Sequence, residues 1–173
     1  MRHGIDSDVV RAAATLLQWF VHTQGAVVAD LVSALGRSGL PAMAHELAPL
    51  AEHAEAEVRV AVAQALGELK DTSPATIAAL VLLSHDRVDE VRSWATFALA
   101  DERLGNAAGV RDALAARLSD ACDEIRVEAV RGLARAGDPR AIDVALDLAP
   151  DWCDEPLFRQ AVRRLQAPEA GRP

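Results

Sequence analysis

The stretch that decides the fold is Glu90-Val91-Arg92-Ser93-Trp94-Ala95-Thr96-Phe97-Ala98-Leu99, or EVRSWATFAL in one-letter code. Its aliphatic residues Val91, Ala95 and Leu99 are spaced four positions apart, so they share one side of an α-helix. The same spacing occurs five times along the chain. The opening residues are Val27, Val58, Val91, Ile125 and Leu157; the plus-four residues are Leu31, Val62, Ala95, Ala129 and Ala161; and plus eight is always Leu, at Leu35, Leu66, Leu99, Leu133 and Leu165.

The copies follow one another at intervals of 31 to 34 residues. A fixed interval of this size indicates stacked helical hairpins, none of which can bury its apolar side alone. Other apolar stripes at helical spacing lie between the copies, and strand signals are lacking. We therefore predict an all-α protein of about ten helices in five antiparallel pairs, forming a single domain over residues 1–173. The pairs are expected at about 6–36, 40–68, 73–101, 107–136 and 139–166.

Two of the expected turns carry strong helix-start signals. Ser73-Pro74 and Asp138-Pro139 each place an N-cap residue before a proline in the first helical turn. The cap side chain accepts a backbone amide hydrogen bond, and proline at this position loses no hydrogen bond of the helix. These two dipeptides predict the starts of the third and fifth pairs.

Composition narrows the classes of function. The chain is 51% hydrophobic, has only 3% aromatic residues, and carries a formal net charge of −8. This charge argues against a nucleic-acid binder, which needs clustered Lys and Arg, and it suits a basic partner, although mild acidity is also ordinary in soluble proteins. Two cysteines, Cys122 and Cys153, do not make a disulfide framework, and neither a signal peptide nor a membrane span is evident. We expect a cytoplasmic monomer.

A recurring tripeptide identifies the type of repeat. Glu57-Val58-Arg59, Glu90-Val91-Arg92 and Glu124-Ile125-Arg126 open three successive copies, whereas the landmarks of tetratricopeptide and ankyrin repeats are missing. The chain resembles the HEAT repeat, in particular the short type called PBS-lyase HEAT-like. The resemblance implies an α-α superhelix, or solenoid, whose second helices line a concave groove. It implies little about function, because HEAT-like proteins have many different roles.

The repeated charges are interpreted as structural. In HEAT repeats, an Asp in the turn and the Arg after the Val form a ladder between neighbouring units. The residues at these places are Arg59, Asp86, Arg92, Asp120 and Arg126, whereas His22 and His53 replace the Asp in the first two units. Glu57, Glu90 and Glu124 are interpreted as first-turn carboxylates that stabilise the positive end of the helix dipole.

No motif supports catalysis or metal binding. His22 and His53 are equivalent positions, but stacked helix pairs lie roughly 8–10 Å apart, too far for both to ligate one zinc ion without a third residue. A phosphate-binding Gly-rich loop, a nucleophile elbow and a convincing carboxylate pair are all missing. We therefore expect no cofactor, no metal and no enzymatic activity.

Helical projection predicts the surface that binds. Positions plus two, plus three and plus six of each second helix point away from the core or lie on its flank. The predicted partner-binding residues on these positions are Val60, Gln64, Ser93, Trp94, Phe97, Val127, Glu128, Arg131 and Arg163. Trp94 and Phe97 are the proposed anchors, because exposed aromatics with a polar rim are typical of interfaces. Periodicity alone leaves an alternative open, in which both rings pack between repeats. Trp152 and Phe158 are expected to cover the C-terminal end of the stack.

The leading hypothesis is a non-catalytic scaffold that docks a protein partner in the concave groove, and a narrower version is an immunity or antagonist protein. The alternative is a nucleic-acid binder of the HEAT-like DNA glycosylase type. That alternative rests on a faint similarity of Trp94, Glu128 and the C-terminal arginines to the residues such enzymes use, and the acidic charge counts against it.

Overall fold

The computed structural model describes residues 2–20, 25–105 and 107–166. Within these ranges the chain contains ten α-helices and no β-strand, so the predicted all-α fold is confirmed. The helices are α1 (Arg2–Phe20), α2 (Gly25–Gly36), α3 (Met43–Leu47), α4 (Ala56–Leu69), α5 (Pro74–Leu83), α6 (Asp89–Leu99), α7 (Val110–Arg117), α8 (Asp123–Arg135), α9 (Ile142–Trp152) and α10 (Pro156–Gln166).

The helices pack into two compact units, Met1–Ala98 and Leu99–Pro173. The first unit contains α1 to α5 and nearly all of α6, and the second contains α7 to α10. The prediction that residues 1–173 form one domain stays a prediction. No helix in the described part of the chain is both long enough and apolar enough to cross a lipid bilayer.

The central copies of the repeat build the core as expected. Their aliphatic positions are essentially inaccessible to solvent: Val58, Val62, Leu66, Val91, Ala95, Leu99, Ile125, Ala129 and Leu133 are each at most 1% exposed. Side chains four apart stack along one side of each second helix, and this side is the one that is buried. For these three copies the spacing predicted the buried stripe correctly.

The outer copies are shifted by one residue. In α2, Val28 and Val32 are fully buried, while Val27 is 45% exposed. The predicted stripe beginning at Val27 is therefore wrong. The reason is a close contact at Gly36, which shares the Val28 side of the helix: a Cβ atom placed there would lie 2.6 Å from the Cβ of Ala65 on α4. Only the glycine lets α2 approach α4 this closely.

The last copy is shifted in the same way. Phe158 is fully buried, whereas Leu157 is 46% exposed. The expectations that Leu157 opens the stripe and that Phe158 covers the end of the stack are both wrong. α10 packs against α8 and α9, and the large ring of Phe158 fills a part of the core that Leu157 was expected to fill.

Prolines set the other local features. Ser73 caps α5 by accepting a hydrogen bond from the Thr76 amide, and Pro74 lies in the first turn. Asp138 accepts a hydrogen bond from the Arg140 amide in the same way. Both predicted starts are therefore confirmed. Asp138 starts a 3₁₀ turn (Pro139–Ala141) that leads into α9. A second 3₁₀ turn, Ala48–Glu52, follows α3 and contains Pro49. Proline lacks the amide hydrogen that an α-helix requires, which explains why α3 is short.

Candidate functional site

Two exposed aromatic rings stand on the side of α6 that faces away from the core. Trp94 is 38% exposed and Phe97 is 53% exposed. Their ring centroids are 6.0 Å apart and the ring planes meet at 82°, an edge-to-face arrangement. Such pairs are favourable, because the positive edge of one ring meets the negative face of the other. Each ring therefore orients the other and leaves a large apolar area accessible to solvent.

The first unit also contains a groove between α2, α4 and the start of α6. Its volume is about 490 Å³. We call it the α2–α4 groove; its lining residues are Ala26, Ala29, Asp30, Ser33, Ala56, Glu57, Val60, Ala61, Gln64, Val88 and Glu90. Small side chains make the room, since four of the eleven are alanines. Two of the predicted binding residues, Val60 and Gln64, line it, and both are half-buried.

The groove is acidic. Asp30, Glu57 and Glu90 are exposed, and none of the described residues that line the groove is basic. Within the described ranges these three carboxylates form no ion pair or hydrogen bond. The neighbouring Arg59 has its charge engaged by Asp86, and the exposed Arg87 precedes α6 without lining the groove. In the described part of the chain, the groove therefore presents three carboxylates without a paired cationic side chain above an apolar floor.

The ion pair between Arg59 and Asp86 joins consecutive repeats of the first unit. Nε of Arg59 lies 2.6 Å from Oδ2 of Asp86, and Nη2 lies 3.0 Å from Oδ1. Nη1 donates to the carbonyls of His53 and Ala54, at 2.8 and 3.0 Å. Burial raises the pKa of the Asp86 carboxyl, but the hydrogen bonds from Arg59 and from the Val88 amide outweigh it and hold that pKa below its ordinary value.

The other proposed ladder residues form mostly local contacts. Arg92 donates to the backbone carbonyl of Asp86 at 3.0 Å and to the Asp89 carboxylate at 2.9 Å. Asp120 accepts from Arg117 at 3.2 Å. Arg126 pairs with Asp123 at 2.5 Å and with Asp147 at 3.4 Å. The contact between Arg126 and Asp147 joins α8 to α9, whereas the other contacts are local to the turns and the helix starts. Both kinds of contact agree with a structural role. His22 lies outside the described residues.

In the second unit the predicted binding residues have different environments. Val127 is 3% exposed, so the expectation that it faces a partner is wrong. The reason is that α8 packs against α7, α9 and α10, whereas the projection assumed a single covered side. Arg163 is exposed on α10. The remaining predicted residue, Ser93, belongs to the first unit and is half-buried on α6.

Glu128 and Arg131 form an ion pair at 2.5 Å on α8, with side chains only 17% and 12% exposed. Burial raises the pKa of the Glu128 carboxyl above its ordinary value, although attraction to Arg131 and Arg135 opposes the shift. Neither charge is therefore freely available to a partner. In the described part of the chain, no three His, Cys, Asp or Glu side chains come together in a way that could hold a metal ion.

The sequence reasoning did not recognise the acidic lining of the groove. Glu57 and Glu90 were assigned only to the helix dipole. However, each residue advances a helix by about 100°. The residue immediately before the opening aliphatic residue therefore points in a direction between those of plus three and plus six. The same projection that selected Gln64 and Trp94 could therefore have placed both glutamates on the binding side.

Comparison with known proteins agrees with the architecture. A family model described as HEAT repeats matches residues 13–100, and one described as PBS lyase HEAT-like repeat matches residues 125–144. The chain is 37% identical over 90 residues to Protein YibA of Escherichia coli strain K12 and to that of Escherichia coli O157:H7. The match covers 52% of this chain and 31% of those proteins, so the chain spans about a third of the length of the curated relatives it matches.

A crystal structure of an engineered protein superposes with a TM-score of 0.64. That superposition covers 93% of this chain and 79% of the engineered one, at 20% sequence identity, so it supports the fold alone. The match to the first family model covers half of the sequence, and the buried stripes of the central copies are those that such repeats require. The chain belongs to the HEAT-repeat family.

Proposed function

We propose that this chain is a non-catalytic binding module that docks a protein partner on the exposed side of its second helices. Trp94 and Phe97 are the central anchors, and Val60, Gln64 and Ser93 contribute to the surrounding surface. The observation that carries the proposal is the exposed edge-to-face pair on α6. Aromatic residues are enriched among the few that supply most of the binding energy at protein interfaces. In the second unit Glu128 and Arg131 pair with each other and Arg163 is exposed on α10, so a role of these three residues in binding stays a prediction.

The family context supports a scaffold more than an enzyme, because HEAT repeats are generally non-catalytic scaffolds. A narrower form of the proposal is an immunity or antagonist protein, in which the same surface blocks a toxin. A small acidic chain with a preformed surface suits that task, since electrostatic attraction would speed the capture of a basic target. The comparisons assign no partner, so both forms require a direct test.

The test begins with capture of partners from an extract of the source organism, followed by reconstitution with the purified candidate. The variant Trp94→Ala/Phe97→Ala should weaken the purified complex at least about 30-fold, the effect of losing an interfacial anchor worth about 2 kcal/mol. The control is Leu146→Ala/Leu157→Ala, which removes two side chains of similar exposure, 53% and 46%, from the second unit. An equal loss in both variants, or a loss in neither, would reject the proposed anchors.

A photocrosslinking amino acid gives independent placement. Introduced at Phe97, it should form a crosslink with the partner, and at Leu146 it should not. The DNA glycosylase type of function is the rival, and its cheap test is retention on a DNA column at low ionic strength. Phosphate contacts would produce strong, salt-dependent retention, whereas our proposal expects none.

A further inference from the structure

The α2–α4 groove combines two properties that match one class of side chain. Its floor is small and apolar: Ala61 is 4% exposed, and Ala29, Val60 and Val88 are half-buried. Its edges carry the exposed carboxylates of Asp30, Glu57 and Glu90. Lys and Arg have an aliphatic stem that packs on apolar surface and a charged end that seeks carboxylates. A Lys or Arg side chain could therefore satisfy the floor and the edges together.

The groove also lies next to Trp94 along α6. Glu90 lines the groove, and Trp94 follows it by four residues on α6, so the two side chains are neighbours on the helix surface. An arginine held over the face of a Trp ring gains a cation–π interaction. A chain segment that leaves the groove along α6 thus meets the Trp94 ring, which also favours a cationic residue.

We infer that the α2–α4 groove receives Lys or Arg side chains from a basic segment of the protein partner. The inference rests on the proposed function and specifies which partner chemistry the surface selects. Three carboxylates that have no counter-ion among the described residues create a negative potential, which favours cations and repels nucleic acid. The extent of the surface, from the groove past Trp94, fits a polypeptide segment rather than an isolated cation.

The direct test uses a fluorescein-labelled twelve-residue peptide of alternating Ala and Arg, with alternating Ala and Glu as the control peptide. Fluorescence anisotropy should show binding of the Arg peptide at low salt, loss of that binding at high salt, and no binding of the Glu peptide. The variant Asp30→Asn/Glu57→Gln/Glu90→Gln should weaken binding of the Arg peptide at least tenfold. Free arginine and spermidine, added as competitors, should act only at much higher concentration than the unlabelled peptide.

A matched variant separates the groove from net charge. Asp143→Asn/Asp151→Asn/Asp154→Asn neutralises three exposed carboxylates of the second unit, so both triple variants change the formal net charge from −8 to −5. The control should weaken binding less than twofold. Equal weakening in both would show non-specific attraction and overturn the inference. Ser33→Lys, which keeps all three carboxylates but places a competing cation in the groove, should also cost at least tenfold, so the result does not depend on one variant folding.

Further outcomes distinguish this inference from the proposed function. If the reconstituted partner complex is weakened by Trp94→Ala/Phe97→Ala but not by the groove variant, the aromatic docking surface stands and the basic-segment inference fails. If neither variant weakens it, both fail. Competition by spermidine at the peptide's own concentration would identify a small-cation site instead. A dimer in sedimentation analysis that the groove variant dissociates would identify a second copy of this chain as the occupant, and would also overturn the inference.

Discussion

The Arg59 guanidinium and the Asp86 carboxylate form a two-point ion pair between consecutive repeats, with N···O distances of 2.6 and 3.0 Å. Their side chains are only 8% and 11% exposed. The planar guanidinium matches the carboxylate, and its Nη1 group donates to the carbonyls of His53 and Ala54. One arginine thus connects the turn before α4 to the turn before α6, which positions the helices that line the groove.

Removing one partner of this pair should destabilise the first unit strongly. Asp86→Asn or Arg59→Met should lower the free energy of unfolding by about 3–5 kcal/mol, because the remaining charge stays buried without compensation. Urea unfolding followed by circular dichroism measures the loss. Arg11→Ala is the control: its ion pair with Asp8 is exposed, with side chains 73% and 74% accessible, and should contribute at most about 1 kcal/mol. A similar loss in the control would contradict the assignment.

The same pair predicts how stability depends on pH. The pKa of Asp86 is held below its ordinary value in the folded state, so its contribution is fully present above the unfolded-state pKa of about 3.9 and is lost as pH falls through the folded-state pKa. Asp71, Asp101 and Asp138 also have lowered pKa values, so acid should destabilise the protein generally. The specific signature is the difference in stability between wild type and Asp86→Asn, which should shrink below about pH 4. A constant difference from pH 6 to pH 3 would contradict the prediction.

Two glycines of the first unit should respond differently to alanine. At Gly36 a Cβ atom would lie 2.6 Å from the Cβ and 2.7 Å from the Cα of Ala65, whereas at Gly67 the nearest atom is the Cβ of Ala98 at 3.2 Å. Gly36→Ala should therefore cost about 1–3 kcal/mol through overpacking. Gly67→Ala lies inside α4, where alanine gains up to about 1 kcal/mol of helix propensity, so its net effect should be small. Thermal unfolding of the two variants compares them directly, and equal melting temperatures would refute the argument.

The sequence predicts the fold well because each copy of the repeat gives independent evidence for its helical spacing. Val58, Val91 and Ile125 each begin a stripe that the structure buries, and three agreeing copies leave little room for another helical register. Periodicity fails in the outer copies for a physical reason. A helix at the end of the series has neighbours on fewer sides, so a close contact at Gly36 or a large ring at Phe158 can rotate it by one residue.

The candidate site was only partly predictable. The exposure of Trp94 and Phe97 can be predicted by projecting a single helix, because that projection needs only the direction of the core. Val127 does not, because its burial depends on helices that pack against several sides of α8. The α2–α4 groove depends on how two helices approach each other, and this distance is set by small residues such as Gly36 and Ala65. Spacing along one helix contains no information about that approach.

The shifted register of the last copy has a direct test in the second unit. Phe158→Ala should destabilise by about 3–5 kcal/mol, because it leaves a cavity in place of a fully buried ring. Leu157→Ala should cost less than about 1.5 kcal/mol, since Leu157 is 46% exposed and alanine favours the helix. The original spacing predicts the reverse order. Chemical denaturation of both variants decides between the two registers.

The aromatic pair should matter for binding and little for stability. Trp94 and Phe97 are 38% and 53% exposed. Replacing both by alanine should therefore lower the free energy of unfolding by less than about 1.5 kcal/mol, because little buried surface is lost and alanine has the higher helix propensity. Leu66→Ala, which empties a position only 1% exposed in the same unit, should cost about 2–5 kcal/mol. If the double variant instead destabilises as much as Leu66→Ala, the rings pack between repeats, and they are core residues rather than anchors. A small change in stability combined with a large loss of partner affinity is the combination that only a docking surface explains.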